Sequence, residues 1–264
     1  MTPIDTSTGG LDPQSRRRAI MDHVVRVGAT SVEDLAQMLA VSAMTVYRDV
    51  AELERSELIH RKRGEITAAE SSLTESSSRL RMSMNEGVKS ALASAAGRFL
   101  QRGQSVMMDD SSSTIPLISA LPHYSPITLV TNAEFVAKQV RNQPEVRLLL
   151  IGGEYEAWAD AYFGELAEAA ISRLSVDVCM MSATALTPVH CFHPNENVAR
   201  VKRAMLAVSR TKILLVDSTK FSKSALYQVG PTTDFDTVIT DSATPAHIVK
   251  ALRDQGIDVE VVDI

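Results

Sequence analysis

Two cysteines, Cys179 and Cys191, are too few for a disulfide framework in a chain of 264 residues, which fits a reducing compartment. Long apolar runs are missing as well. The longest, around Leu148 to Ile151, falls far short of the roughly 18 residues a spanning helix needs, and Met1 to Gly10 is polar, without a signal-peptide core. These absences predict a cytoplasmic protein with no membrane partner. Glycine-rich and proline-rich tracts are absent too, and with 45% hydrophobic and 22% charged residues disorder and fibrous architectures are excluded. There is no Walker A sequence and no Gly-x-Gly-x-x-Gly after a strand, so neither a P-loop nor a dinucleotide site is expected, and no cofactor. Positive charge is not in excess: the net charge is −5. Averaged over the chain, that argues against nucleic acid.

What is present divides near residue 66. Asp12-Pro13 predicts a helix start, and Thr30 and Glu33 stand in capping-box spacing ahead of Val32, Leu35, Ala36 and Leu39. Ser42 caps a third predicted helix with Val46, Val50 and Leu53 inward and Ala43, Thr45, Tyr47, Arg48, Asp49 and Glu52 outward. Ile59 to Ile66 reads as two short arms around a basic tip with a glycine turn. Three helices and a hairpin predict a winged helix-turn-helix over 1–66. Residues 1–65 hold nine Lys and Arg against ten Asp and Glu, so four of the five net negative charges lie beyond this module. Its cations cluster at Arg16 to Arg18, Arg48 and Arg61 to Arg63. Arg17, Arg48, Arg61, Lys62 and Arg63 are candidate phosphate contacts of double-stranded DNA, with Ser42, Thr45 and Tyr47 near base edges.

Serines at 71, 72, 76, 77, 78 and 83 mark residues 67–87 as a solvated linker. From 88 to 264, short apolar runs alternate with helical patterns: Val106 to Met108, Ile127 to Val130, Val146 to Ile151, Val176 to Met181, Lys212 to Val216, Thr237 to Ile239 and Val259 to Val262. Repeated βα units predict an α/β, Rossmann-like, doubly wound domain with a parallel sheet. Small polar residues follow each strand, on the edge where such sheets bind ligands. The candidate effector residues are Asp109, Ser111, Ser112, Ser113, Thr114, Thr131, Asn132, Gly152, Gly153, Glu154, Glu196, Asp217 and Lys220. Serine hydroxyls and Lys220 suit a phosphate, while Asp109 and Asp217 suit sugar hydroxyls. His190, Cys191, His193 and Glu196 form one crowded cluster rather than two separated ligand pairs, so no metal site is expected. Trp158, with Tyr155, Tyr162 and Phe163, is expected in a core or a subunit interface.

Arg17-Arg18-x-Ile20, Leu35-Ala36, Val41-Ser42-x-x-Thr45-Val46-Tyr47-Arg48-Asp49-Val50-x-x-Leu53-Glu54 and Arg61, followed by Asp109-x-Ser111-Ser112-Ser113, Val130-Thr131-Asn132, Gly152-Gly153, Glu196, Lys202-Arg203-Ala204-Met205 and Asp217-Ser218-Thr219-Lys220, resemble the DeoR family of bacterial transcription regulators. The resemblance implies a sensor domain similar to ribose-5-phosphate isomerase that binds phosphorylated sugars and alters operator affinity within a homo-oligomer, dimer or tetramer. It also implies a nucleoid-associated repressor of a carbohydrate operon, not an enzyme. The sequence departs from the family pattern at Ser111, where glycine is usual, at Tyr47, which replaces an arginine, at Gly64-Glu65 in the wing, and in the loop His190 to Pro194. Its residue types leave open a sugar-phosphate isomerase-like enzyme with a DNA-binding appendage, or a sensor of an unphosphorylated polyol or of no ligand.

Overall fold

A computed structural model describes residues 11–55, 58–62, 64–69, 74–75, 77–82 and 84–264, apart from the side chains of 25, 26, 79 and 80. The chain divides into two compact units, Met1–Ala69 and Glu70–Ile264. In the first, α1 (Pro13–Val27) starts where the Asp12 carboxylate accepts hydrogen bonds from the N–H groups of Gln14 (2.9 Å) and Ser15 (3.1 Å). It is followed by β1 (Ala29–Thr30), α2 (Val32–Leu39), α3 (Ala43–Arg55), β2 (Ile59–Lys62) and β3 (Glu65–Ala68). The capping box of α2 is Ser31 with Asp34, one residue beyond the expected Thr30 and Glu33. Thr30 is instead in β1, paired with Ile66 of β3. Ile20, Val24, Leu35, Val46, Val50, Ile59 and Ile66 are fully buried and form the core. Burying such side chains contributes about 1.5–3 kcal/mol each. Asp49, expected outside, is buried because it lies one turn from Val46 on the inner face, where it pairs with Arg16.

The second unit begins earlier than expected. Within the segment read as a solvated linker, α4 (Ser78–Met82) follows buried Ser77, and Ser78 N–H donates to the Trp158 carbonyl at 2.9 Å. The polar serines mimic a linker, but Ser77, Ser78 and Arg81 are buried in this unit. Then come α5 (Glu86–Ala96), β4 (Ser105–Met108), a 3-10 helix over Ile115–Tyr124, β5 (Ile127–Thr131), α6 (Glu134–Val140), β6 (Val146–Leu150), β7 (Glu154–Glu156), β8 (Ala161–Phe163) and α7 (Glu165–Ile171). The remainder is β9 (Val176–Met181), β10 (Ala185–Leu186), β11 (His190–His193), α8 (Glu196–Ala207), β12 (Ser209–Leu215), β13 (Tyr227–Pro231), β14 (Thr237–Asp241), α9 (Ala246–Arg253) and β15 (Asp258–Val262).

All seven expected apolar runs form strands of one parallel sheet, ordered β15-β14-β12-β9-β4-β5-β6. From β4 the chain steps to β5 and β6 on one side, then crosses to β9 and β12 on the other. The strand order therefore reverses between β4 and β9, so the loops after these strands flank the crevice in which such sheets bind ligands. Two antiparallel additions were not foreseen, β7 with β8 and β10-β11-β13. The latter turns the His190 to Pro194 loop of the sequence reading into a strand. No helix among the described residues is long and apolar enough to cross a membrane.

Candidate functional site

Each unit carries one candidate site. In the first, the Ser42 hydroxyl accepts from Thr45 N–H at 3.2 Å and lies 2.9 Å from the Thr45 hydroxyl, so both hydroxyls are engaged at the start of α3. Tyr47, Arg48, Arg61 and Lys62 are exposed, and Arg61 stacks over the Tyr47 ring at 5.9 Å. The tyrosine that departs from the family arginine thus organises a wing cation. Arg17 is less available than expected: its Nε donates to the Pro13 carbonyl at 3.2 Å and lies 3.6 Å from Asp49. Arg16 is bound to the same carboxylate, leaving Arg18 as the exposed member of the triplet. The wing turn uses Gly64 at φ +84°, a conformation glycine adopts without strain. Arg63 lies outside the described residues. Sequence reasoning missed Met44, which is 63% exposed on the first turn of α3. A thioether there suits apolar contact with a thymine methyl.

In the second unit, a small polar cleft with a volume of about 20 Å³ opens at the switch point between β4 and β9. Ser111, Ser112 and Ser113 follow β4, Ser182, Ala183 and Thr184 follow β9, Lys202 comes from α8 and Lys220 from the turn after β12. Glu75 and Arg81, from the segment read as a linker, also line it, as does His193 of β11.

The floor of the cleft is a buried charge network. Lys202 is bound to Asp109, donates to the Ser182 carbonyl (3.1 Å) and the Ser111 hydroxyl (3.3 Å), and lies 3.8 Å from Asp110. Arg81 donates to the Asp110 carboxylate (3.1 Å) and to its carbonyl (3.2 Å). Its Nε–H is buried without a hydrogen-bond partner among the described residues. Burial pushes the Asp109 carboxyl up against the pull of Lys202. For Asp110 burial pushes the same way, yet the charges of Lys202 and Arg81 overcome it and hold that carboxyl down. Lys202 and Arg81 are held charged, since their carboxylate partners outweigh the burial that opposes them.

Ser111 is built into this network. Its N–H and hydroxyl both donate to Asp109 (3.0 and 2.8 Å), and its hydroxyl accepts from Ser182 N–H at 3.1 Å. Where the family pattern has glycine, this chain uses a hydroxyl to tie the β4 loop to the β9 loop, and its backbone is not in the left-handed region.

At the rim, Asn195 N–H donates to His193 Nδ1 at 3.0 Å, which leaves Nε2 to carry the proton toward Glu75 at 3.3 Å. The Thr184 hydroxyl donates to the same carboxylate. Burial disfavours the Glu75 charge, but the hydrogen bond from His193 and the charges of Arg81, His193 and Lys220 outweigh it and hold the carboxyl below its ordinary range. Nearby, Lys89 donates to the Arg81 carbonyl. Burial, with Lys220 and Arg81 adding repulsion, lowers its pKa to about 8.

Of the expected effector residues, Ser111, Ser112, Ser113 and Lys220 therefore meet at the cleft, and Asp109 lies beneath it with both carboxylate oxygens committed. Asp217 accepts from Thr219 N–H at 3.0 Å, capping the 3-10 turn Ser218–Ser222 that carries Lys220. Thr114 bonds back to the Ser111 carbonyl at 2.9 Å. Thr131, Asn132, Gly152, Gly153, Glu154 and Glu196 do not line the cleft. Thr131 caps Ala133 (3.1 Å) and Asn132 donates to the Tyr162 carbonyl (2.9 Å). Gly153 permits close packing: a Cβ there would lie 2.4 Å from the Phe163 carbonyl oxygen. Glu154 is exposed, and Glu196 is exposed in the first turn of α8. Cys191 is buried with its thiol pushed up, and among the described residues no three His, Cys, Asp or Glu side chains gather around a common point.

Residues 16–72 match the DeoR-like helix-turn-helix domain and residues 84–242 the DeoR C terminal sensor domain. The glycerol-3-phosphate regulon repressor of Escherichia coli is 26% identical over 247 residues, 93% of this chain and 98% of that protein. The L-fucose operon activator of Haemophilus influenzae is 29% identical over 236 residues, covering 89% and 94%. Among solved structures, ribose 5-phosphate isomerase A of Methanocaldococcus jannaschii superposes with a TM-score of 0.39 and 13% identity, over 52% of this chain and 55% of that one. The matches to both domains, in this order and over most of the chain, place it in the DeoR family of DNA-binding transcriptional regulators.

Proposed function

We propose that this regulator senses a phosphorylated sugar or a related metabolite in the cleft between β4 and β9, and that the ligand changes its affinity for operator DNA at a carbohydrate uptake or catabolic operon. The observation that carries the reading is the cleft lining: three consecutive serines, Lys202, Lys220 and Arg81, the last with a buried N–H that has no partner among the described residues. Buried donors are almost always satisfied, and an anion bearing several acceptor oxygens suits this one. Lys89 lies nearby as well, its pKa lowered first by burial and then by the charges of Lys220 and Arg81. The regulated operons named for the two relatives concern glycerol 3-phosphate and fucose, which agrees with a sugar-related effector. We read the chain as a repressor acting in the cytoplasm on the nucleoid, as a homo-oligomer whose paired α3 helices meet half-sites about one helical turn apart. Relatives named as regulators support a non-catalytic role.

On the DNA side, Arg48, Lys62, Arg61 and Tyr47 contact backbone and flanking bases, with Ser42, Thr45 and Met44 at the base edges. The experiment is a fluorescence-anisotropy titration of the region upstream of its own gene, repeated with a panel of sugar phosphates and the matching free sugars. A phosphorylated member should shift operator affinity about 5- to 150-fold, the usual span of allosteric coupling. An operator affinity that no sugar phosphate alters, or that only free polyols alter, refutes the reading.

A further inference from the structure

Glu75 is an unusual lining residue for a cleft otherwise arranged around cations and hydroxyls. Its carboxylate receives the His193 Nε2–H at 3.3 Å and the Thr184 hydroxyl, and it sits in the field of Arg81 and Lys220. The carboxylate side chain is only 3% exposed, as is its histidine partner at 2%. A ring nitrogen donor, a hydroxyl and two nearby cations are the donor set that a phosphate takes. Asp110 is the opposing neighbour, and the Glu75 charge pushes its carboxyl up against the stronger pull of Lys202 and Arg81. The cleft is small, and the carboxylate stands among the groups that an incoming phosphate would use.

The position of Glu75 in the chain gives this consequence. It follows soon after Ala69, where the DNA-binding unit ends, and precedes α4, which is fixed to the sensor through Ser78 N–H on the Trp158 carbonyl and through Arg81 on Asp110. Trp158 lies close to His193, with ring centroids 6.4 Å apart.

We propose that the Glu75 carboxylate is a built-in occupant of the effector cleft, holding His193 and Thr184 in place of a ligand phosphate, so that an effector anion expels it and loosens the segment joining the sensor to the DNA-binding unit. This rests on the reading of the cleft as a phosphate site. It makes the connecting segment part of the ligand competition rather than a passive tether. Effector binding and the release of that segment are then one equilibrium, and each biases the other by the same factor.

The test uses the full chain and inorganic phosphate, with Trp158 as the reporter because it is the single tryptophan. Glu75→Gln removes the competing charge at nearly constant volume and should bind phosphate at least about 5-fold more tightly than the unaltered chain, the lower end of ordinary coupling. In the unaltered chain, phosphate should speed hydrogen exchange of the amides in 77–82, Ser78 and Arg81 included. That second measurement does not depend on the folding of a variant. Phosphate that binds both proteins equally, or binds Glu75→Gln more weakly, or protects 77–82 from exchange, overturns the inference while leaving the anion site standing. Absence of any response to phosphate or sugar phosphates in either protein removes the site and the inference together.

Discussion

Replacing Lys202 by methionine separates the buried cation of the cleft from Lys220, the cation proposed to meet the effector. Lys202 is 3% exposed and Asp109 1%, and the ammonium also holds the Ser182 carbonyl and the Ser111 hydroxyl. Methionine keeps most of the volume and removes the charge. Among the described residues, the buried Asp109 carboxylate then keeps its hydrogen bonds from Ser111, and Asp110 keeps its ion pair with Arg81. Breaking one side of a buried pair costs about 3–5 kcal/mol, because the remaining charge stays buried without compensation. For a unit spanning Glu70–Ile264, each kcal/mol moves the midpoint by about 2–4 °C, so the sensor transition should fall by about 6–20 °C. The assay is differential scanning calorimetry, with Asp109→Asn/Lys202→Met as the second corner of the cycle. Neutralising the carboxylate as well should recover at least about 1 kcal/mol, as expected for residues in direct contact. Lys220→Ala, at a half-exposed site, should cost under about 1 kcal/mol yet abolish the response to sugar phosphates. A Lys202→Met protein melting within about 2 °C of the parent would refute the assignment of Lys202 as the ion that holds the β4 and β9 loops together.

Three further outcomes follow from individual residues. Arg48→Ala should weaken operator binding and reduce the slope of log affinity against log salt by about 1, with sugar-phosphate binding unchanged; an unchanged slope would remove Arg48 from the phosphate contacts. Gly153→Ala should destabilise the sensor by about 1–3 kcal/mol in urea denaturation, because φ is +154° and the new Cβ meets the Phe163 carbonyl; a neutral effect would contradict that packing. For Lys89, whose pKa falls to about 8 from the ordinary 10.5, the folded state binds fewer protons than the unfolded state between those values. The stability difference between the parent and Lys89→Met should therefore move in favour of the parent as pH rises from 8 to 10.5, and a flat difference in parallel urea titrations would show the amine to be unperturbed.

The sheet was legible because strands buried on both faces are mostly apolar, a mark that is clearest in the central β4 and β5, while the edge strands β6 and β15 still showed it despite Arg147 and Glu260. The third helix was legible for the converse reason, a stripe of Val46, Val50 and Leu53. Of two charged residues on buried stripes, Asp49 was read as outward and Lys202 was not singled out as a site residue. Asp49 lies three residues after Val46, and Lys202 lies within the stripe Val198, Val201, Met205 and Leu206, so periodicity placed both inward while residue type suggested solvent. Position was the better guide, since a buried ion with a partner can occupy an apolar stripe. Glu75 and Arg81 gave a weaker signal, because serine-rich polar sequence has the same composition whether it is solvated or packed into a polar cleft. The hairpin of β10 and β11 was unreadable for another reason: strands of two and four residues carry too little alternation to register.

The pairing of Arg81 with Asp110 also bears on how the sensor can be separated from the rest of the chain. The recognisable sensor pattern starts at residue 84, and the first strand of its sheet at Ser105. A chain cut at either place would contain every strand of the sheet and still lack the guanidinium that neutralises Asp110. Such a fragment would leave Asp110 to Lys202, which lies 3.8 Å away and is already bound to Asp109. The boundary of the sheet and the boundary of the buried charge network are different places in this protein, and the second lies at or before Arg81.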